Sequence, residues 1–196
     1  DGRDYLRYLP VPVTVALLRG SYADEDGNIS LDEEPANLDI YAIAAAARNS
    51  GGKVIFQVRG KVPRHSMKAR EVRIPAALVD AVVVDETQRQ GYDVVYDAAL
   101  SGQDRRDDLA SPQPAFSSRL VIARRAQQEL YENAVINFGF GIPDQIAKLI
   151  DHDGHAGRYF QTIEHGTYGG RLMDGDLFGY AMNPSCMIDG PSQFDF

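Results

Sequence analysis

Between Ala134 and Gly170 the chain carries one continuous pattern: a short apolar run, a glycine turn, a helical repeat, a second run and an acid. The run Ala134 to Phe138 opens into Gly139-Phe140-Gly141-Ile142-Pro143. Pro143 suits a first helical position, because its ring presets φ and it has no N–H to leave unpaired; Ile146, Leu149 and Ile150 then share one face. Tyr159 to Ile163 has the aromatic and β-branched character of a strand and leads directly into Glu164 and a turn rich in glycine. This order is a βαβ unit, for which parallel strands and a right-handed crossover are expected. The glycine loop and Glu164 are then expected at the same carboxyl edge, where open α/β sheets bind ligands. A carboxylate at a strand tip, beside backbone that a ligand can approach closely, suits a nucleophile or a base.

The rest of the chain alternates in the same way. Val13 to Gly20 reads as a largely buried strand, followed by a turn at Asp26-Gly27. Asp24, Asp26 and Asn28 have the alternation of a calcium loop, but an EF-hand needs its glycine two positions beyond Gly27, so the turn is the expectation. A helix is predicted from Asn37 to Asn49, with Leu38, Tyr41 and Ala45 on one face and a run of alanines that allows close packing on a sheet. Gly51-Gly52 closes it, and strands follow at Lys53 to Arg59 and, buried, at Val79 to Val84. Lys61 to Arg73 concentrates basic side chains, expected as a solvated loop and alternatively as an attractor of a phosphorylated ligand. Ser101 to Ala115 turns polar and charged with two prolines, as a linker would. Beyond it a helix is expected from a Ser117 or Ser118 N-cap, with Leu120, Ala123, Ala126 and Leu130 on its buried side. The expectation is two α/β domains, 1–100 and 116–196, joined by 101–115.

Composition narrows the function. A net charge of −8 over 196 residues argues against nucleic acid and against anionic membrane as partners, and 44% hydrophobic residues suffice for a core. One cysteine, Cys186, cannot make an internal disulfide, and no leader pattern opens the chain, so a cytoplasmic setting is the default. Both ends read as cut, the last residues Gln193 to Phe196 looking like the entry to further structure.

The motifs in series resemble a known family. Asn137-Phe-Gly-Phe-Gly-Ile-Pro143, Thr162-Ile-Glu-His-Gly-Thr-Tyr-Gly-Gly170, Phe178-Gly179, Asn183-Pro184, Ile188-Asp189 and Gln193 to Phe196 are similar to the family I coenzyme A transferases, nearest to the single-chain acetate, propionate or 3-oxoacid branch. Arg19 to Ser30 and Asn49 to Ile55 resemble the first domain of the same enzymes. The resemblance implies two open, doubly wound α/β domains of the CoA-transferase type, both incomplete in this chain. It implies acyl-CoA and small carboxylic acids as substrates, no tightly bound cofactor, and a homo-oligomer.

On that resemblance, Glu164 is the covalent nucleophile and Gly141 belongs to the oxyanion loop. Gly139 and Phe140 would lie beside the acyl group, and Gly169 and Gly170 would let the CoA chain approach the backbone. Two positions depart from the pattern: His165 stands where Gln, Ser or Ala is common, and Arg171-Leu172 where Val-Pro is usual, which bears on substrate choice. Other readings of the same residues are a strand-end acid that only caps a turn, and a dinucleotide fingerprint. The fingerprint is disfavoured by Asp144 where glycine or alanine belongs. A metal at His152, Asp153 and His155 competes with an exposed loop, and Asp151 or Asp153 paired with Glu164 would make a two-carboxylate hydrolase. A sugar-phosphate isomerase or ligand-binding protein of related fold is the alternative in which the acid acts as base or contact.

Overall fold

A computed structural model describes residues 2–91, 93–104, 113–139, 141–164, 166–172, 187–188 and 192–193. Two compact units divide the chain, one of Asp1–Ser30 with Ile40–Glu86 and one of Leu31–Asp39 with Thr87–Phe196.

In the first unit three strands, β1 (Val15–Arg19), β4 (Lys53–Val58) and β7 (Ala81–Val84), form a parallel sheet in the order β1-β4-β7. Helix α1 (Ile40–Asn49) packs on β1 and β4 through Ala44 and Ala47. Small side chains bring its axis close, and the alternate strand residues Ala16, Val54 and Phe56 are buried. Tyr41, expected on the buried face, is 58% exposed, because the Ala44/Ala47 stripe and not the tyrosine meets the sheet. The helix also starts later than predicted: Leu38 takes a positive φ of 48°, which interrupts a helical backbone before Ile40.

The expectation of buried strands at Val13 to Gly20 and Val79 to Val84 is corrected. Val15 and Leu17 are 50% and 76% exposed and Val83 is 52% exposed. Register explains why: Leu17 pairs with Ile55, which pairs with Ala81, and Arg19 with Gln57, which pairs with Val83, all on the face turned away from Ala16, Val54 and Phe56. One strand face lies under α1, and its neighbours on the other face stand open.

A second sheet of this unit, in the order β5-β2-β3-β6, joins β2 (Tyr22–Asp24), β3 (Ile29–Ser30), β5 (Gly60–Val62) and β6 (Val72–Ile74). β2 and β3 form the hairpin expected at Asp26-Gly27, with Ala23 opposite Ile29. The Asp24 carboxylate closes the turn, accepting from Asp26 N at 3.0 Å, Asn28 N at 2.9 Å and Asn28 Nδ2 at 2.8 Å. Burial opposes ionisation of Asp24, but these donors outweigh it and hold its pKa below the ordinary value. The oxygens that a calcium ion would need are thus engaged by the turn. The basic segment that follows is exposed, with Arg64 paired to Asp26 at 2.8 Å and Lys68 to Glu71 at 2.8 Å, as a solvated loop would be.

In the second unit, Leu31–Asp39 is stitched to the stretch after Thr87 by glutamines: Gln90 Nε2 donates to Glu33 O at 2.9 Å while its Oε1 accepts from Asp97 N at 2.8 Å. Gln103 Nε2 donates to Asp32 O at 2.9 Å, and Gln88 Nε2 to Glu34 Oε1 at 3.3 Å, both of this last pair buried. Helix α2 (Ser118–Gln127) starts at Ser117, whose side chain accepts from Leu120 N at 3.2 Å. Ala123 is buried, and Leu120, Ala126 and Leu130 are half-buried, as predicted. α2 packs against α3 (Ile142–His152), which connects β8 (Val135–Asn137) to β9 (Phe160–Thr162). β8 and β9 are parallel, with Val135 opposite Phe160 and Asn137 opposite Thr162. β10 (Thr167–Tyr168) runs antiparallel to β9, and the sheet order is β13-β10-β9-β8. β11 (Arg171–Leu172) pairs with β12 (Met187–Ile188), and β13 (Ser192–Gln193) with β10. Phe138, Ala147 and Ile150 centre the core beneath α3, with Ile136, Ile146, Tyr159 and Leu172 around them. Among the described residues no helix is long and apolar enough to cross a membrane.

Candidate active site

The predicted βαβ unit is present as β8, α3 and β9. Because β8 and β9 run parallel and end together at Asn137 and Thr162, the segments leaving them emerge at one carboxyl edge. Phe138 N donates to Thr162 O at 3.1 Å and Thr162 Oγ1 donates to Ile136 O at 3.3 Å, which pins the start of one segment to the end of the other. Phe138 is buried in the core below, whereas Gly139 is exposed, with no heavy atom within 4 Å of where a Cβ would stand among the described residues. Phe140 lies outside the described residues.

Gly141 is the N-cap of α3, with φ 110° and ψ −119°, a backbone conformation that a residue with a Cβ adopts only under strain. Ile142 opens the helix one residue earlier than predicted, and Pro143 occupies its first turn. The helix N-terminus therefore starts at the turn itself, where N–H groups that lack intrahelical partners carry positive potential. Beside it, the Nη2 of Arg119 on α2 lies 3.9 Å from the position that a Cβ at residue 141 would take.

Beyond β9 the chain turns at Ile163 to Gly166, closed by Gly166 N donating to Ile163 O at 3.2 Å. Glu164 stands in this turn, exposed, and among the described residues its carboxylate makes no ion pair or hydrogen bond. The closing bond is between backbone groups, and among the described residues the Glu164 side chain makes no capping bond to the turn. Gly169 N donates to Gln161 O at 2.7 Å, which draws the second glycine pair back along β9, and Gly169 and Gly170 hold positive φ of 73° and 88°. The rings of Phe160 and Tyr168, 5.9 Å apart, meet at a tilt of 53° across the two strands. Gln161, three residues before Glu164, is buried with its Oε1 unpartnered among the described residues. His165 lies outside the described residues, as do Phe178, Gly179, Asn183, Pro184, Cys186 and Asp189.

The acids considered for a metal or a carboxylate pair have other partners. Asp153 ends α3 and takes a two-pronged contact from Arg124 on α2: Nη1 reaches Oδ2 and Nη2 reaches Oδ1 at 3.2 Å, while Gln127 Nε2 donates to Oδ2 at 3.2 Å. The Arg124 hydrogen bond, set against a smaller cost of burial, holds the Asp153 pKa below its ordinary value. Asp153 is thus a clamp between two helices, where an exposed loop had been expected. The residue that sequence reasoning missed at this edge is Arg119. Its only signal in the sequence is a basic side chain in the first turn of a capped helix, where acids are usual.

No family model matches the chain. Over 198 residues it is 38% identical to a caffeate CoA-transferase from Acetobacterium woodii, an alignment covering 100% of this chain and 38% of that protein. Over 197 residues it is 36% identical to the acetate CoA-transferase YdiF of Escherichia coli K12, covering 100% of this chain and 37% of that protein. The crystal structure of the E. coli O157:H7 acyl-CoA transferase YdiF, as a thioester complex with CoA, superposes with a TM-score of 0.79 at 31% identity over 94% of this chain and 34% of that one. The chain thus spans a little over a third of the length of these relatives. Motif order, α/β fold and identity along the whole chain agree: over its full length the chain is similar to a little over a third of these CoA-transferases.

Proposed function

We propose that the protein transfers coenzyme A from an acyl-CoA to a carboxylic acid through a covalent thioester on Glu164. The observation that carries this is an exposed carboxylate without an ion pair among the described residues, set at the same carboxyl edge as a glycine turn that opens a helix. A Glu164 oxygen adds to the acyl-CoA carbonyl; the C–S bond breaks, the thiolate departs, and an acyl-glutamyl anhydride remains. The thiolate then adds to the glutamyl carbonyl and expels the first acid as carboxylate, leaving CoA on Glu164 as a thioester. An incoming carboxylate runs these steps in reverse, so acyl activation is kept without a nucleotide and kinetics are ping-pong.

Each addition places negative charge on an oxygen, and amides aimed at that position are worth several kcal/mol in the low dielectric of a closed site, roughly 3 kcal/mol for one donor. Gly141 at the start of α3 is our candidate for that donor, with Gly139 and Phe140 beside the acyl group and Gly169 and Gly170 along the CoA chain. The relatives named for acetate and caffeate support monocarboxylic acids as the acceptor class. We further place the protein in the cytoplasm as a homo-oligomer, with CoA-transferase domains at 1–100 and 116–196 joined through 101–115, which lies partly outside the described residues. Borohydride tests the covalent step, since it reduces a glutamyl thioester to an alcohol. Treatment should inactivate the intact protein only after exposure to acyl-CoA; equal inactivation with and without acyl-CoA contradicts the mechanism.

A further inference from the structure

Arg119 is the basic residue of α2 that has no acidic partner among the described residues. Of the arginines on that helix, Arg124 is clamped to Asp153, and Arg125 pairs with Glu129 just beyond the helix end. Arg119 makes no ion pair or hydrogen bond among the described residues, and its guanidinium stands beside Gly141. Asp144, the acid in the first turn of α3, has its Oδ1 engaged by Gln145 Nε2 at 2.8 Å.

The placement is electrostatically adverse in the free protein. Arg119 lies in the first turn of α2, which holds no acid, and its side chain ends beside Gly141, the N-cap of α3. Both are positive helix ends, which favour anions and disfavour a cation. A guanidinium held between them becomes favourable once an anion joins them, and its planar fork suits a carboxylate. Its position beside the glycine turn and its exposure leave it open to a molecule arriving from solvent.

We propose that Arg119 binds the carboxylate of the acceptor acid and guides it to the glutamyl-CoA thioester, making it a specificity residue of the second half-reaction. The inference rests on the transferase reading given above. It sets the order of preference among substrates: an acid must present its carboxylate to both Arg119 and the thioester carbonyl, so the neutral ester or amide of a good acceptor is not bound.

The test uses the intact protein with acetyl-CoA as donor and propionate as acceptor, in the parent, Arg119→Met and Arg119→Lys. In Arg119→Met, the KM for propionate should rise about tenfold while kcat and the KM for acetyl-CoA change by less than about twofold. Arg119→Lys keeps the charge and should recover most of the propionate KM. The parent's propionate KM should also rise with salt more steeply than that of Arg119→Met. An unchanged propionate KM in Arg119→Met overturns the proposal. So does a rise confined to acetyl-CoA, which would assign the guanidinium to the phosphates of CoA, and so does loss of thioester formation in both variants, which would place its role before the acceptor arrives. Failure of the parent itself to form a thioester from acetyl-CoA overturns the transferase reading and, with it, this one.

Discussion

At Gly141 the backbone conformation and the proposed chemistry coincide in one residue. A φ of 110° with ψ −119° lies outside the regions open to an L-residue, and a strained conformation of this kind costs about 1–3 kcal/mol. Gly141→Ala is therefore expected to lower stability by that amount in urea unfolding and, by shifting the turn, to reduce transfer more than it reduces stability. Unchanged stability would show that the turn has another conformation. Glu164 behaves oppositely: exposed and without an ion pair among the described residues, it contributes little to folding. Glu164→Gln should change stability by less than about 0.5 kcal/mol while lowering turnover by roughly a thousandfold or more. The exposed place of Glu164 after β9 was legible in the sequence because an apolar strand that runs into an acid and then glycine leaves that acid few structural duties. Arg119 was not, because nothing in the spacing of three arginines on one helix says which of them the packing of α2 on α3 will bring to residue 141.

Elements were legible where the pattern is local. The unit β8-α3-β9 was predicted almost to its ends, since periodicity, proline and glycine all act within a few residues. The first unit was harder: β1 and β7 carry the apolar runs of buried strands, but burial depends on which face receives a helix, and only register with β4 reveals that Leu17 and Val83 lie opposite the α1 side. Leu31–Asp39 was partly read as helix because its partners, Gln88, Gln90 and Gln103, come more than fifty residues later. Gln90 joins both sides of that contact while buried, so Gln90→Ala strands a carbonyl and an amide and should cost about 1–3 kcal/mol. Chemical unfolding measures this, and an unchanged midpoint would contradict the account. The α2–α3 clamp carries a pH signature. With its folded pKa lowered, Asp153 adds stability above the unfolded carboxylate value near 4, and that increment disappears as pH falls through the folded pKa. Asp153→Asn should therefore lower the melting temperature at pH 6, by up to about 1 kcal/mol of stability for a partly exposed pair, and the gap to the parent should shrink as acid is added below pH 4. A gap that stays constant with pH would mean that packing rather than charge holds the helices.

For the whole molecule, the family was legible because several glycine, proline and acid motifs keep their order from Arg19 to Gln193, and alignment to the named CoA-transferases extends over the entire chain. Acyl preference was not, because it depends on the three-dimensional shape of the proposed site, which His165 and Arg171 adjoin in sequence. The net charge of −8 is a solution property and sets no specificity by itself. It does make a locally positive point such as Arg119 the natural landing place for small anions. The central claim is covalent, and its most direct measurement is mass spectrometry of the intact protein after incubation with acetyl-CoA, followed by mapping of the modified peptide. The prediction is one added CoA, less water, on Glu164, lost in Glu164→Gln and discharged by propionate. No adduct, or an adduct on a different residue that propionate does not remove, would contradict it.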